Sequence, residues 1–331
     1  MANTGNGATY NLGVGTNATN YTPNKYAVTD RIGKIAYSVL RKLEANNPFS
    51  VFKKQPINNG DTIEQSITRI ITAQPYNKEG KNALHRWLDQ HLVTRYYKTW
   101  SRNKYPVSID YVEIRAVLEG SESDEEVARK IVSMLSESDT FDNYTIIKNL
   151  LTWGRTSGNG LKQLSAIPLV DGNTDYKAIL RTVKDTVKGM QYVSNNFNGI
   201  GTISVTHDVE AANGTITQTT ENMPLYQRSR ADEIYVIMPY KLKNAIDVDE
   251  LAGVFNLDKA EIRDKIIEID SDEKFVYIVD EKAIMDFTKL YELVNNLNED
   301  GFFWNFVLHT ERLYAICPLF NACYFEYDTN G

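Results

Sequence analysis

The sequence predicts an α+β protein: a core of apolar strands with amphipathic helices between them. Three observations lead there. Glu233–Met238 and Phe275–Val279 are short, continuous runs of β-branched and aromatic residues, the composition of strands buried on both faces. Ile32, Ile35, Ala36, Val39, Leu40 and Leu43 repeat with the helical period, as do Tyr176, Ile179, Leu180, Val183, Val187 and Met190. The densest apolar material lies late in the chain, in Gly301–His309 and Leu313–Tyr327, with charged stretches expected to form helices between the strands of this last third.

The bulk properties exclude several classes. The chain has 331 residues, 42% hydrophobic and 24% charged, enough for one large or two ordinary domains. A net charge of −7 argues against a general nucleic-acid binder but leaves room for a local basic patch. No apolar run approaches the roughly 18 residues of a membrane span. The first residues lack the basic and apolar regions of a secretory leader, so none is expected. Cys317 and Cys323 fit two small buried side chains, and a reducing compartment is expected.

In chain order, residues 1–28 stand apart, with six Asn, four Gly and Lys25 as the single charge. Such a segment does not bury enough surface to fold alone; it fits a tail, or an arm whose Tyr10, Tyr21 and Tyr26 anchor on a neighbour. The first amphipathic helix follows, capped by Thr29 or Asp30 and ended at Asn46-Asn47-Pro48, with Arg31, Lys34, Arg41 and Lys42 opposite its apolar stripe. Residues 56–106 hold two alternating segments, from Ile63 and from Val93 to Trp100, separated by polar turns: a hairpin-like excursion. Asp110 to Glu119 fits a strand or a short helix equally. Ser123-Asp-Glu-Glu126 is a capping box. Beyond it, apolar stripes predict one helix to about Trp153, or two broken near Ser138-Asp139.

Residues 154–173 read as loop, then comes the helix carrying Tyr176 to Met190. Short strands are expected at Thr202–Thr206 and Thr215–Thr219, joined by Asn213-Gly214. Pro239 ends the strand at Met238 and opens a helix. Asp258 and Glu261 are expected to cap a helix carrying Ile262 and Ile266.

Chemistry is sparse. His85, His91, His207 and His309 form no metal-ligand spacing, and no phosphate loop or nucleophile elbow is present. His85 and Asp89, four apart, fit a surface pair better than an acid–base couple. No catalytic residue, cofactor or metal is expected. Arg95–Lys104 mixes basic and aromatic residues and fits nucleic-acid stacking, a solvated ribbon or a protein interface.

The order of these parts resembles the major capsid proteins of tailed bacteriophages, the Hong Kong 97 type fold, nearest to those of short-tailed phages of Gram-positive hosts. The likeness is firmest in Asp232–Asp247, which looks like the family's strand-then-helix segment. Val248–Asn256 looks like its next helix; Phe303-Trp304-Asn305 and Pro318–Ala322 look like its closing strands.

The resemblance implies an N-terminal arm and helix over 1–55 and an extended β-hairpin loop (E-loop) over 56–108. It implies a peripheral domain with a long spine helix over 109–174, an axial domain of mixed sheet and helices over 175–310, and closing strands of the peripheral domain over 311–331. It implies a virion structural protein, assembled in the bacterial host cytoplasm, that self-assembles through pentamers and hexamers into an icosahedral shell. That shell would enclose double-stranded DNA without sequence specificity, with scaffolding, portal and head-fibre proteins as further partners and no membrane. The Lys–Asn crosslink of some relatives has no matching residues here and is not carried over. In the resembled fold, arm and loop cross a neighbour's spine. Arg31, Lys34, Arg41 and Lys42 are therefore expected to face Glu125 and Glu126 between subunits. A tail or collar ring protein, a nucleic-acid-binding module and a hydrolase remain the rival readings.

Overall fold

A computed structural model describes residues 32–36, 47–57, 60, 62–68, 92–110, 112, 124–158, 160–210, 216–246, 265–298, 301 and 303–329. The chain divides into two compact units. One comprises Met1–Asn46, Ser101–Asn143 and Leu290–Glu311; the other comprises Asn47–Trp100, Tyr144–Lys289 and Arg312–Gly331.

In the second unit, strands β1 (Ile63–Thr68) and β2 (Leu92–Tyr97) form an antiparallel pair with Ile63 opposite Tyr97. This is the expected excursion; its intervening turns lie outside the described residues. A six-stranded mixed sheet forms the core of the unit. It contains β4 (Lys162–Gln163), β5 (Ile167–Pro168), β8 (Ile234–Pro239), β9 (Ile266–Ile269), β10 (Phe275–Asp280) and β13 (Ala322–Thr329). The order is β4-β13-β10-β8-β9, with β5 also on β13. The pairs β8–β10 and β10–β13 are antiparallel; β9 adds to β8, and β4 and β5 to β13, in parallel.

Alternation across this sheet explains the continuous apolar runs. Val236, Met238, Val276, Ile278, Cys323 and Phe325 pack on one side, against helix α2 (Tyr176–Met190). Ile237, Tyr277, Val279, Ala322 and Tyr324 pack on the other. There they meet Phe49 and Phe52 of a 3-10 turn and Ile147 and Leu151 of helix α1 (Asp124–Thr156). Helix α2 starts where Asp175 Oδ1 accepts from the Ala178 N–H at 3.0 Å. After β8, Pro239 is the N-cap of the short helix α3 (Tyr240–Ala245), one position before the expected one.

A separate ribbon, β6 (Thr202–Glu210) with β7 (Ile216–Pro224), pairs antiparallel from Thr202↔Pro224 to Glu210↔Ile216. Both strands are longer than the expected pair, and the Asn213-Gly214 turn is outside the described residues.

The first unit packs α1 on a sheet. Its Val127, Ala128, Ile131, Val132 and Leu135 bury against Ile32, Ala36, Ile109, Trp304, Phe306 and Leu308. The sheet order is β11 (Ile284–Asn298), β12 (Phe303–Ile316), β3 (Ser101–Asp110). Residues 32–36 are helical, with Ile32 and Ala36 buried as the stripe requires.

Several expectations are corrected. Helix α1 is one 33-residue helix, the first of the two expected alternatives, and it runs past Trp153 to Thr156 with no break at Ser138. Ser138 instead donates its hydroxyl to the Met134 carbonyl at 2.9 Å, satisfying itself within the helix. Residues 154–173 are not all loop: α1 runs to Thr156, and β4 and β5 borrow their stability from β13. Ile266 lies in strand β9, not a helix, because β8 offers it a parallel partner. The charged stretch 284–298 is a strand rather than a helix; Tyr291 and Leu293 turn inward while Leu290, Glu292 and Val294 turn outward, a period of two.

The compact units cut across the expected ranges 175–310 and 311–331 without deciding them. Leu290–Glu311 groups with Ser101–Asn143, and β13 is an inner strand of the other unit's sheet, because Phe325 and Tyr327 bury beside α2. Asp110 ends β3, and most of 111–119, like 248–256 and the caps at Thr29, Asp30, Ser123 and Asp258, lies outside the described residues.

Candidate assembly surfaces

Large apolar side chains left in water mark the surfaces to consider. On α1, Met134 (56% exposed) and Phe141 (68%) are seven residues apart, two helical turns along one face. Met134, expected in the stripe with Val127, Ile131 and Leu135, lies at the exposed edge of that stripe, and Phe141 continues the same edge. On the hairpin, Tyr96 (63%) and Leu92 (57%) are exposed. The register puts them opposite Glu64 and Thr68, on the face that also carries Ser66 and Thr94. The other face of the hairpin is anchored. Ile67, Val93 and Tyr97 pack against Leu225, Met285, Cys317 and Leu319, and the Tyr97 hydroxyl meets the Cys317 thiol. Burial, first, and that thiol push the Tyr97 phenol well above its ordinary range. The anchored face is partly buried, and the outer face is mostly exposed.

Lys34 and Glu126 are both exposed, on the helical segment 32–36 and on the first turns of α1. Glu125 is in α1, and Arg31, Arg41 and Lys42 lie outside the described residues. The basic–aromatic stretch after β2 is partly used internally: Lys289 Nζ stands 5.4 Å from the Trp100 ring centroid, and Arg102 pairs with Glu311 at 3.2 Å.

Small-molecule chemistry finds little foothold. Among the described residues no three His, Cys, Asp or Glu side chains are placed to hold a metal ion. His207 is on β6 and His309 on β12; His85 and His91 lie outside the described residues. Cys317 and Cys323 are buried free thiols, both pushed up by burial, so neither has the lowered pKa of an activated nucleophile. No described helix is long and apolar enough to cross a membrane.

Residues 10–326 match the family model described as Phi29-like phage major capsid protein. The chain belongs to that family. Relatives named major capsid protein include those of Bacillus phage GA-1 and Streptococcus phage Cp-1. The GA-1 protein is 24% identical over 322 residues, covering 95% of this chain and 63% of the relative. The Cp-1 protein is 21% identical over 313 residues, covering 90% and 81%. The chain thus spans under two thirds of the GA-1 protein's length.

The fold is the phage-capsid fold. The capsid structure of Staphylococcus phage Andhra superposes with a TM-score of 0.63 at 11% identity, covering 87% of this chain and 85% of that one. A chain from native bacteriophage P68 gives 0.55 at 13% identity, covering 86% and 85%. In this Phi29-like member, the basic–aromatic stretch Arg95–Lys104 already held the exposed Tyr96, while Phe141 carried no such mark.

Proposed function

We propose that this chain is the subunit of a phage head, assembling with itself through pentamers and hexamers into an icosahedral shell around double-stranded DNA. The observation that carries the reading is the match of residues 10–326 to a capsid family, on a chain that folds as capsid chains do. Exposed Phe141, Met134 and Tyr96 support it, since apolar side chains on a closed shell are covered by neighbouring copies. Work of this kind is done by interfaces, so no catalytic site is proposed. A shell also needs one chain to occupy slightly different surroundings, a demand that flexible arms and loops meet.

In this proposal residues 101–143 with 290–311 form the peripheral domain, and the sheet flanked by α2 belongs to the axial domain. Residues 1–55 are the arm, and the β1–β2 hairpin is the extended loop. The arm's Arg31, Lys34, Arg41 and Lys42 approach Glu125 and Glu126 of a neighbouring copy. Scaffolding, portal and head-fibre proteins are the further partners, with assembly in the host cytoplasm. Negative-stain microscopy of the purified full chain tests the proposal. Closed shells of uniform diameter are expected; tubes, or rings alone, would move the chain to a tail or collar.

A further inference from the structure

Helix α2 carries a charge pattern that its packing does not use. Ile179, Val183, Thr186, Val187 and Met190 are buried against the sheet. Diametrically opposite lie Lys177, Arg181, Lys184 and Lys188, at spacings of four, three and four residues. At about 100° per residue these four fall within about 60° of arc, centred on the outward direction. Lys177, Arg181 and Lys184 are exposed and Lys188 is half-buried. None of the four pairs with a carboxylate among the described residues, although other exposed lysines of the same unit do, such as Lys241 with Asp272 and Lys282 with Glu233. Asp185 is the helix's one acid, and it sits at the flank of the stripe.

The basic surface continues past the helix. The Ser229 N–H donates to the Met190 carbonyl at 2.8 Å, which sets the extended segment 226–230 beside the helix C-terminus. In that segment Arg228 and Arg230 alternate outward with Tyr226, while Leu225 and Ser229 turn in. Arg230 has Asp232 at 3.1 Å, and both are exposed, so the pair is weak. A line of cations about 16 Å long on the helix, extended by Arg228, is thus built on a chain whose net charge is −7.

We infer that this stripe is a contact surface for the phosphate backbone of double-stranded DNA. A row of mobile ammonium groups and one guanidinium suits a polyanion read by charge, and nothing along it offers the fixed donors and acceptors of base recognition. The inference deepens the shell reading, and rests on it for the presence of DNA, by naming the face of the subunit that meets the DNA.

The test compares the full chain with a variant carrying Lys177→Ala, Arg181→Ala, Lys184→Ala and Lys188→Ala. Fluorescence anisotropy with an arbitrary 25-base-pair duplex is followed across salt concentration, on unassembled protein. The stripe accounts for about 3.6 of the slope of log affinity against log salt if all four cations contact phosphates. The variant is therefore expected to bind with a flatter slope and many-fold weaker at low salt. Unchanged affinity and slope overturn the inference. So does unchanged DNA binding with lost self-association by sedimentation velocity, which would make the stripe a contact between copies. Because the four side chains point outward, the variant's melting temperature serves as the folding control; Arg181→Lys with the other three native should bind as the parent does. Shell formation is scored separately by microscopy, so a chain that binds DNA through the stripe but makes no shells overturns the shell reading alone.

Discussion

The guanidinium of Arg155 lies 3.7 Å from the centroid of the Phe275 ring, at the C-terminal turn of α1. It also reaches Glu273 at 3.1 Å, and its side chain is only 17% exposed. The carboxylate partner is nearly half exposed, so the ion pair contributes little and the stacked, desolvated contact contributes most. Arg155→Ala is expected to lower stability by about 1–3 kcal/mol, and Glu273→Gln by less than about 1 kcal/mol. Equilibrium urea unfolding of both variants checks the order; equal losses would assign the contact to the ion pair.

Gly154 of α1 lies close against Ile316 of β12. A Cβ there would stand 2.6 Å from Ile316 Cδ1 and 3.2 Å from Leu161 Cγ, and both residues are buried. Alanine favours a helix by about 1 kcal/mol over glycine, while overpacking a tight core costs about 1–3 kcal/mol. Gly154→Ala is therefore expected to destabilise despite its better propensity. Ile316→Val removes the offending methyl, so the double variant should be more stable than the sum of the single effects predicts. Simple additivity in thermal unfolding would show that the helix end shifts instead.

Asp280 gives stability a pH dependence of unusual sign. Burial, first, raises its carboxyl above the ordinary range, against hydrogen bonds from Ser229 and the Lys282 N–H and the attraction of the Lys282 ammonium; Glu233 adds to the rise. The folded protein therefore binds this proton more tightly than the unfolded chain. Its contribution is fully present below the ordinary carboxylate range and is lost as pH rises through the raised folded value. In Asp280→Asn that slope should vanish. The parent's melting temperature should thus gain on the variant's as pH falls across that window. Parallel curves would refute this.

Assembly gives the fourth prediction. Reversing Arg41 and Lys42 to Glu should slow shell formation while leaving the subunit's melting temperature nearly unchanged. Adding Glu125→Lys and Glu126→Lys should restore part of the rate, if the groups approach within a Debye length of about 8 Å at physiological salt. Opposite charge at such a contact steers docking more than it adds affinity. Light scattering at low and high salt measures it. No slowing, or slowing independent of salt, removes the electrostatic account and leaves the fold untouched.

What could be read from the chain followed locality. Helix α2 and strands β8 and β10 were legible because their periods and apolar runs are complete within themselves. Strand β9 was not, because Ile266-Ile267-Glu268-Ile269 is short and follows a stretch with helical caps; its identity comes from β8. Strand β11 carries Lys289, Glu292, Asn295 and Asn296, a surface that imitates a charged helix until its alternation is counted. The two-residue strands β4 and β5 exist only through β13, more than 150 residues away. Of the surfaces, charge and the basic–aromatic stretch holding Tyr96 were legible, and Phe141 was not, since exposure depends on what packs behind a side chain. The basic stripe of α2 was passed over because the helix was read for its apolar face alone.

The position of β13 bears on how the protein is made. It lies between β4 and β10 in the sheet, yet the ribosome delivers it after every other strand there. Until residues 322–329 emerge, β10 presents an open apolar edge, beside a row of side chains that α2 and α1 cover on only two sides. Such an edge pairs with whatever strand is available, including the same edge of a nascent chain on a neighbouring ribosome. The hazard lasts through translation of the residues between β10 and β13. Closing a sheet by its latest strand therefore makes the emergence of residues 322–329, more than the speed of any single folding step, the event that commits this sheet to its native form.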